Sequence, residues 1–381
     1  MGGVTQLSAE PAVSVPFLDL GLIHRPLKEE LLTEIGELID ANAYVNGPQV
    51  DGFEQAFARY CGGRHAVGVA SGLDALRLAL IAAELEPGDE VLVPANTFLA
   101  SFEAASQAGC VPVPVDVGEQ DWNLDVRLVE EAVTPQTRVV MPVHLYGQLA
   151  DMRALDDLAR RRGLLVVEDA CQAHGAERDG LRAGSIGLAG AFSFYPGKNL
   201  GAFGDAGALV TDDERLAEKV RALREHGQRA KYEHDFEGWT ARLDTIQALV
   251  LLRKLPLLDG WNEQRRAVAR GYAERLEGVG DLRLPPVPEG SRPVWHLYVV
   301  RTAKPTELAE FLRERGIGTG RHYPQPAHLS PAYAHLGYGE GSFPVAEALG
   351  REGLSLPIFP GMTERQLDSV ADAIAAYFAR G

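Results

Sequence analysis

The chain has 381 residues, 53 acidic against 37 basic side chains, and a formal net charge of −16. That balance leaves no electrostatic footprint for nucleic acid or an anionic membrane surface, and no apolar run approaches the roughly 18 residues of a membrane span. With 46% apolar and 24% charged residues the composition is that of a globular protein with a sizeable core; at roughly 150 residues per domain, the length predicts one large domain and one small. Cys61, Cys110 and Cys171 are odd in number and widely spaced, so they form no disulfide framework and point to a reducing cytoplasm. Only 6 of the 37 basic side chains are lysines, at positions 28, 198, 219, 231, 254 and 304, leaving 31 arginines. A lysine in an unusual setting therefore stands out.

Residues 1–15 carry no charged segment followed by an apolar one, so they are not a signal peptide and read as a loose tail. Short apolar runs then recur at His65–Ala70, Glu90–Pro94, Val111–Val115, Val139–Val143, Leu164–Glu168, Ala189–Phe194 and Ala206–Thr211. Amphipathic stretches such as Asp74–Glu84, Leu124–Val133 and Met152–Arg162 lie between several of them. This alternation predicts an α/β domain with a mostly parallel seven-stranded sheet, whose ligands sit at the C-terminal strand ends. A helical pattern from Leu243 to Leu276 is interrupted at Pro256, where a kink is expected. Beyond about Gly278 come proline-rich connectors, a strand-like Trp295–Thr302, a helix Pro305–Arg315 and a last helix Glu364–Arg380. The expected division is a large domain over 16–255 and a smaller α+β domain over 256–381, joined by the kinked helix.

Four segments at strand ends can carry chemistry. In Phe192-Ser193-Phe194-Tyr195-Pro196-Gly197-Lys198-Asn199 the lysine follows an apolar strand through a Pro-Gly turn. It is not a phosphate-binding GxxxxGK loop, because Phe192 stands at the first glycine and Asn199 replaces Ser/Thr. A surface lysine is the plain alternative; a lysine desolvated at a strand end has a lowered pKa and suits Schiff-base chemistry. In Val166-Val167-Glu168-Asp169-Ala170-Cys171-Gln172-Ala173-His174 two carboxylates end an apolar strand on opposite faces, so one of them can enter a site. A buried carboxylate there needs a cationic partner, such as a protonated ring nitrogen; the alternative is an Asp capping the next segment. Val69-Ala70-Ser71-Gly72-Leu73-Asp74 runs from a strand into a helix start, either an ordinary turn or an anion site built from backbone N–H groups. Ser193 could reach the same anion. Phe98 in Asn96-Thr97-Phe98 can stack on a planar ring or belong to the core.

Taken together, Ser71-Gly72-Leu73-Asp74-Ala75-Leu76, Asn96-Thr97-Phe98, Glu168-Asp169-Ala170-Cys171-Gln172-Ala173-His174-Gly175, Tyr195-Pro196-Gly197-Lys198-Asn199-Leu200-Gly201 and Arg242-Leu243-Asp244 resemble the DegT/DnrJ/EryC1/StrS sugar aminotransferases, in order from about Phe17 to the C-terminus. The resemblance implies the aspartate-aminotransferase type of fold (fold type I), pyridoxal 5'-phosphate as cofactor, and a homodimer with active sites at the subunit interface. It implies that Lys198 forms the Schiff base and that Asp169 contacts the pyridine nitrogen. Gln172 would lie by the ring hydroxyl and Phe98 would stack on the ring. Ser71, Gly72 and Ser193 would bind the phosphate, with His174 behind them. Many relatives carry Thr where Leu73 stands, so any phosphate contact there is through backbone. Many carry Asn where Thr240 stands, reaching the phosphate across the dimer interface; the shorter Thr240 weakens that contact.

The implied reaction is a ping-pong amino transfer from L-glutamate to a ketone. Gly72-Leu73-Asp74-Ala75-Leu76, Tyr195-Pro196-Gly197-Lys198, Lys231-Tyr232 and Arg321-His322-Tyr323-Pro324 look like the members that aminate C3 of a nucleotide-linked, dTDP type, 3-keto-6-deoxyhexose in deoxyaminosugar biosynthesis. His322, Tyr323, Arg242 and Tyr195 are the candidates for substrate contacts, and no metal is assigned, since His322, His328 and His335 lack ligand spacing. C4 amination of a UDP- or GDP-4-keto sugar, amination of a cyclitol ketone, and a non-catalytic regulatory role are the alternatives. Relatives that act as dehydratases replace the lysine with histidine, and Lys198 speaks against that.

Overall fold

The computed structural model describes residues 14–380. Each of the seven apolar runs forms a strand: β1 (His65–Val69), β2 (Glu90–Pro94), β3 (Val111–Val115), β4 (Thr137–Val140), β5 (Leu165–Asp169), β6 (Ala189–Ser193) and β7 (Gly207–Thr211). They make one sheet in the order β1-β7-β6-β5-β4-β2-β3. β7 runs antiparallel to both neighbours and the other pairs are parallel. The exception has a local cause. The connection from β6 to β7 contains no crossover helix, so the chain must turn back on itself. The strands are buried on both faces because helices cover both. Phe53, Phe57, Leu155 and Leu158 pack on one side, and Leu76, Leu78, Phe102 and Val220 on the other.

Helix α1 (Gly72–Ala82) follows β1 directly, its start set by Ser71, whose Oγ accepts the Asp74 N–H at 3.0 Å. The long helical pattern resolves into α2 (Thr245–Lys254), a single 3-10 turn over Leu255–Leu257 and α3 (Leu258–Leu276). Pro256 lies in the first residues of that turn, where its missing N–H costs nothing. The C-terminal part pairs β8 (Tyr298–Arg301) with β9 (Gly353–Leu356) antiparallel and adds α4 (Pro305–Arg313) and α5 (Glu364–Phe378). α5 begins at a reciprocal Thr363–Gln366 capping box. Tyr272, Tyr298, Leu308, Leu354, Phe359 and Ile374 form a separate apolar cluster there.

Two expectations need adjusting. Residues 1–13 of the expected tail lie outside the described residues, but its last residue, Val15, is fully buried and bridges to Ile317. The strand expected from Trp295 starts only at Tyr298, because Trp295 adopts φ +48° and leaves the extended region. Among the described residues no helix is long and apolar enough to cross a membrane.

Candidate active site

The C-terminal ends of β5 and β6, the start of α1 and the β8 approach enclose a cavity of about 510 Å³. Asp169, the last residue of β5, reaches it. Its Oδ2 accepts the Ser101 hydroxyl at 2.7 Å and its Oδ1 accepts the Cys171 N–H at 3.2 Å. No cation lies within ion-pair distance of it among the described residues. Glu168 points the other way. It is fully buried and accepts from His144 Nε2 at 2.7 Å and from the N–H groups of Gly184 and Ile186 at 2.9 and 2.6 Å.

Lys198 lies in the loop after β6, tied by its own N–H to the Tyr195 carbonyl at 2.8 Å. Its ammonium has no hydrogen-bond partner among the described residues. Burial lowers its pKa, opposed by the charges of Cys171 and Asp169. The amine is thus shifted toward its neutral, nucleophilic form.

At the opposite wall the N–H groups of Gly72 and Leu73 begin α1 with no intrahelical acceptor, and they face the cavity beside Ser193. Only glycine fits at 72. A Cβ there would stand 2.7 Å from both Cys171 Sγ and Ser193 Cβ. Gly207 is equally constrained, a Cβ there meeting the Ser71 carbonyl at 2.3 Å. The Ser71 hydroxyl lines the cavity, and at the same time it caps α1 and donates to Asp74 Oδ2 at 3.0 Å.

The remaining expected residues divide. Phe98 lines the cavity with its ring 55% exposed, 5.4 Å from the Tyr323 ring. Gln172 is held by the Tyr146 N–H at 2.7 Å and donates to Tyr323 Oη at 3.1 Å. Tyr195, His322 and Tyr323 also line the cavity. His174 is buried between Phe192 and Phe194, behind the wall. Arg242 and Thr240 do not reach this chain's own cavity. Arg242 pairs with Glu225 at 2.9 Å, and Thr240 is exposed, its Oγ1 3.0 Å from His226 Nε2. Sequence reasoning missed Arg265 and His296, which line the cavity from α3 and the β8 approach. The only signal was an isolated histidine within Trp295-His296-Leu297-Tyr298.

Four groups thus face one space: two helix-start N–H groups, a carboxylate without a cation, and an amine without an acceptor. They suit a flat ligand with an anion at one end, a protonated ring nitrogen and an electrophilic carbon. The chain matches the DegT/DnrJ/EryC1/StrS aminotransferase family over residues 26–375. It is 50% identical over 366 residues to a dTDP-3-amino-3,4,6-trideoxy-alpha-D-glucose transaminase of Streptomyces venezuelae, covering 96% of this chain and 97% of that one. It is 46% identical to the erythromycin biosynthesis sensory transduction protein EryC1 of Saccharopolyspora erythraea, covering 96% and 100%. The crystal structure of S. venezuelae DesV in complex with a ketimine intermediate superposes with a TM-score of 0.95 at 50% identity, over 97% of this chain and 99% of that one.

Proposed function

The chain belongs to the DegT/DnrJ/EryC1/StrS aminotransferase family, and from that premise we propose that it uses pyridoxal 5'-phosphate to move an amino group from L-glutamate to C3 of a nucleotide-linked 3-keto deoxyhexose, the nucleotide being dTDP. The observation that carries the reading is the cavity where Lys198, Asp169 and the start of α1 converge. The name of the S. venezuelae relative supports C3 and dTDP.

When bound, pyridoxal phosphate supplies an electrophilic carbon for amines and an electron sink. Lys198 would hold it through Nζ, Asp169 would face its ring nitrogen, and the Gly72 and Leu73 N–H groups with Ser193 would take the phosphate. Ser101 and the Cys171 N–H keep the Asp169 carboxylate oriented toward the cavity. The Lys198 amine, its pKa lowered by burial, would be placed to take a proton from the donor Cα and to return one to the acceptor carbon. The exposed face of Phe98 and the ring of Tyr323 confine the ligand plane.

The rest of the reading concerns assembly. The large part, 16–255, carries the cofactor site and the small part, 256–381, closes it. The active unit is a homodimer; Leu32, Ile39, Tyr44 and Val45 expose apolar side chains that a second copy would cover. Thr240, away from its own cavity, would then face the partner's phosphate. Cys61, Cys110 and Cys171 are free, which fits a reducing cytoplasm.

The test is spectroscopic. Purified protein shows an absorbance band from the lysine-bound cofactor that glutamate removes and a dTDP-3-keto deoxyhexose restores. Lys198→Ala neither shows that band nor turns over. A preference for 4-keto sugars in a substrate panel overturns the C3 assignment, and turnover by Lys198→Ala overturns the mechanism.

A further inference from the structure

A chain of buried amides ties the residue after Lys198 to the far wall of the cavity. Asn199 Nδ2 donates to the Val294 carbonyl and to Asn262 Oδ1, both at 2.9 Å, and Asn262 Nδ2 donates to the His174 carbonyl at 2.9 Å. A backbone carbonyl only accepts, so each amide has one orientation that satisfies it. Asn199 must therefore turn Oδ1 toward His296 Nδ1, 3.2 Å away. An amide oxygen cannot donate, so His296 carries its proton on Nδ1. Burial, together with the nearby charges of Lys198 and Arg265, holds the imidazole neutral. Its Nε2 is then an unprotonated acceptor, and no described residue donates to it.

The backbone is arranged to aim this ring. Trp295, directly before it, sits at φ +48°, a left-handed conformation that a bulky residue holds only where its surroundings over-determine it. Arg265 imposes it: Nη1 of this buried guanidinium donates to the carbonyls of Trp295 at 3.1 Å, His296 at 3.4 Å and Ile358 at 3.0 Å. No carboxylate among the described residues pairs with it.

We propose that His296 is a specificity-determining residue whose Nε2 accepts a hydrogen bond from a hydroxyl of the ketone substrate. Asn199 fixes its tautomer and Arg265 fixes the backbone that presents it. The inference rests on the keto-sugar reading above and adds the feature of the sugar that is recognised: a hydroxyl presented as a donor at the wall formed by His296 and Arg265. A ketone lacking that hydroxyl would leave Nε2 unpaired and bind less well.

The experiment uses the holoenzyme and separates the two half-reactions. His296→Asn places an amide donor where Nδ1 stood and removes the acceptor at the Nε2 position; His296→Gln places an amide where Nε2 stood. For His296→Asn, the glutamate half-reaction and the cofactor spectrum stay within about twofold of wild type, while KM for the keto sugar rises about tenfold or more. His296→Gln recovers part of that loss. A wild-type sugar KM in His296→Asn overturns the proposal. So does an equal fall of both half-reactions with a lowered melting temperature, which marks a purely structural histidine. If wild type rejects 3-keto sugars but aminates another hydroxylated ketone, the substrate reading fails, and the same comparison made on that ketone decides the role of His296.

Discussion

Between Glu168 and Asp169 the pleat of β5 sends one carboxylate into the core and the other into the cavity, since successive strand side chains alternate faces. Glu168 accepts from His144 and two backbone N–H groups, and removing a partner from such a buried network costs about 3 kcal/mol or more. Glu168→Ala should therefore lower the melting temperature by several degrees, while folded protein keeps its turnover per site. Asp169→Asn should do the reverse. It keeps the Ser101 contact and a near-native melting temperature, and loses at least about a hundredfold in kcat, because the ring nitrogen loses its counter-charge. Thermal melts and steady-state assays on both variants check the pair, and equal effects on stability and turnover would refute the division of labour. The alternation was legible in the sequence and the family resemblance named Asp169, but the residue pattern of β5 alone left open which carboxylate enters the site. That depended on which sheet face the helix start and Lys198 occupy.

At the scale of the element, α1 starts so close to β6 and to the loop after β5 that a Cβ at position 72 would clash with both Ser193 and Cys171. Gly72→Ala should push the helix start outward by several tenths of an ångström and move the two free N–H groups off the anion. The expected outcome is a rise of at least tenfold in the dissociation constant for pyridoxal phosphate, read by fluorescence or equilibrium dialysis. The effect on the fold should be smaller than on binding, and unchanged affinity would count against the anion site. The strands themselves were readable from apolar runs because burial on both faces demands continuous apolar side chains. β8 was readable except for its start. Trp295 and His296, just before it, read as part of the strand, yet Arg265 on a helix 30 residues away holds their carbonyls and Trp295 leaves the extended region.

For the molecule as a whole, several histidines are held neutral by burial. The pKa of His174 falls to about 3, and those of His322 and His24 to about 4, burial being the main cause in each and a neighbouring lysine the second. In the unfolded chain each returns to about 6.5. Below that pH the unfolded state binds protons that the folded state refuses, so stability present above pH 6.5 is lost as pH falls toward 4. For fully buried His174 the loss is on the order of 2 kcal/mol at pH 5. Melting temperatures measured from pH 7 to 4.5 should fall steadily, and a flat profile would contradict the burial of these rings.

The sequence by itself determined the strand-by-strand α/β architecture, the position of Lys198 after its strand and the helix start at Ser71–Gly72, the parts from which the proposed cofactor site is built. Each of these is written in local patterning: apolar runs, a small-residue turn, a Pro-Gly-Lys segment. The net charge of −16 likewise ruled out polyanion partners held by bulk field, leaving anion binding to local N–H groups. Only the tertiary structure decided the fate of Arg242 and Thr240, which pair with Glu225 and His226 away from their own cavity. Only it brought in Arg265 and His296. Their roles come from hydrogen bonds between Asn199, Asn262, Val294 and His296, residues separated by up to 97 positions along the chain. Such contacts are set by how helices and strands pack, and no local pattern of apolar or charged residues encodes them.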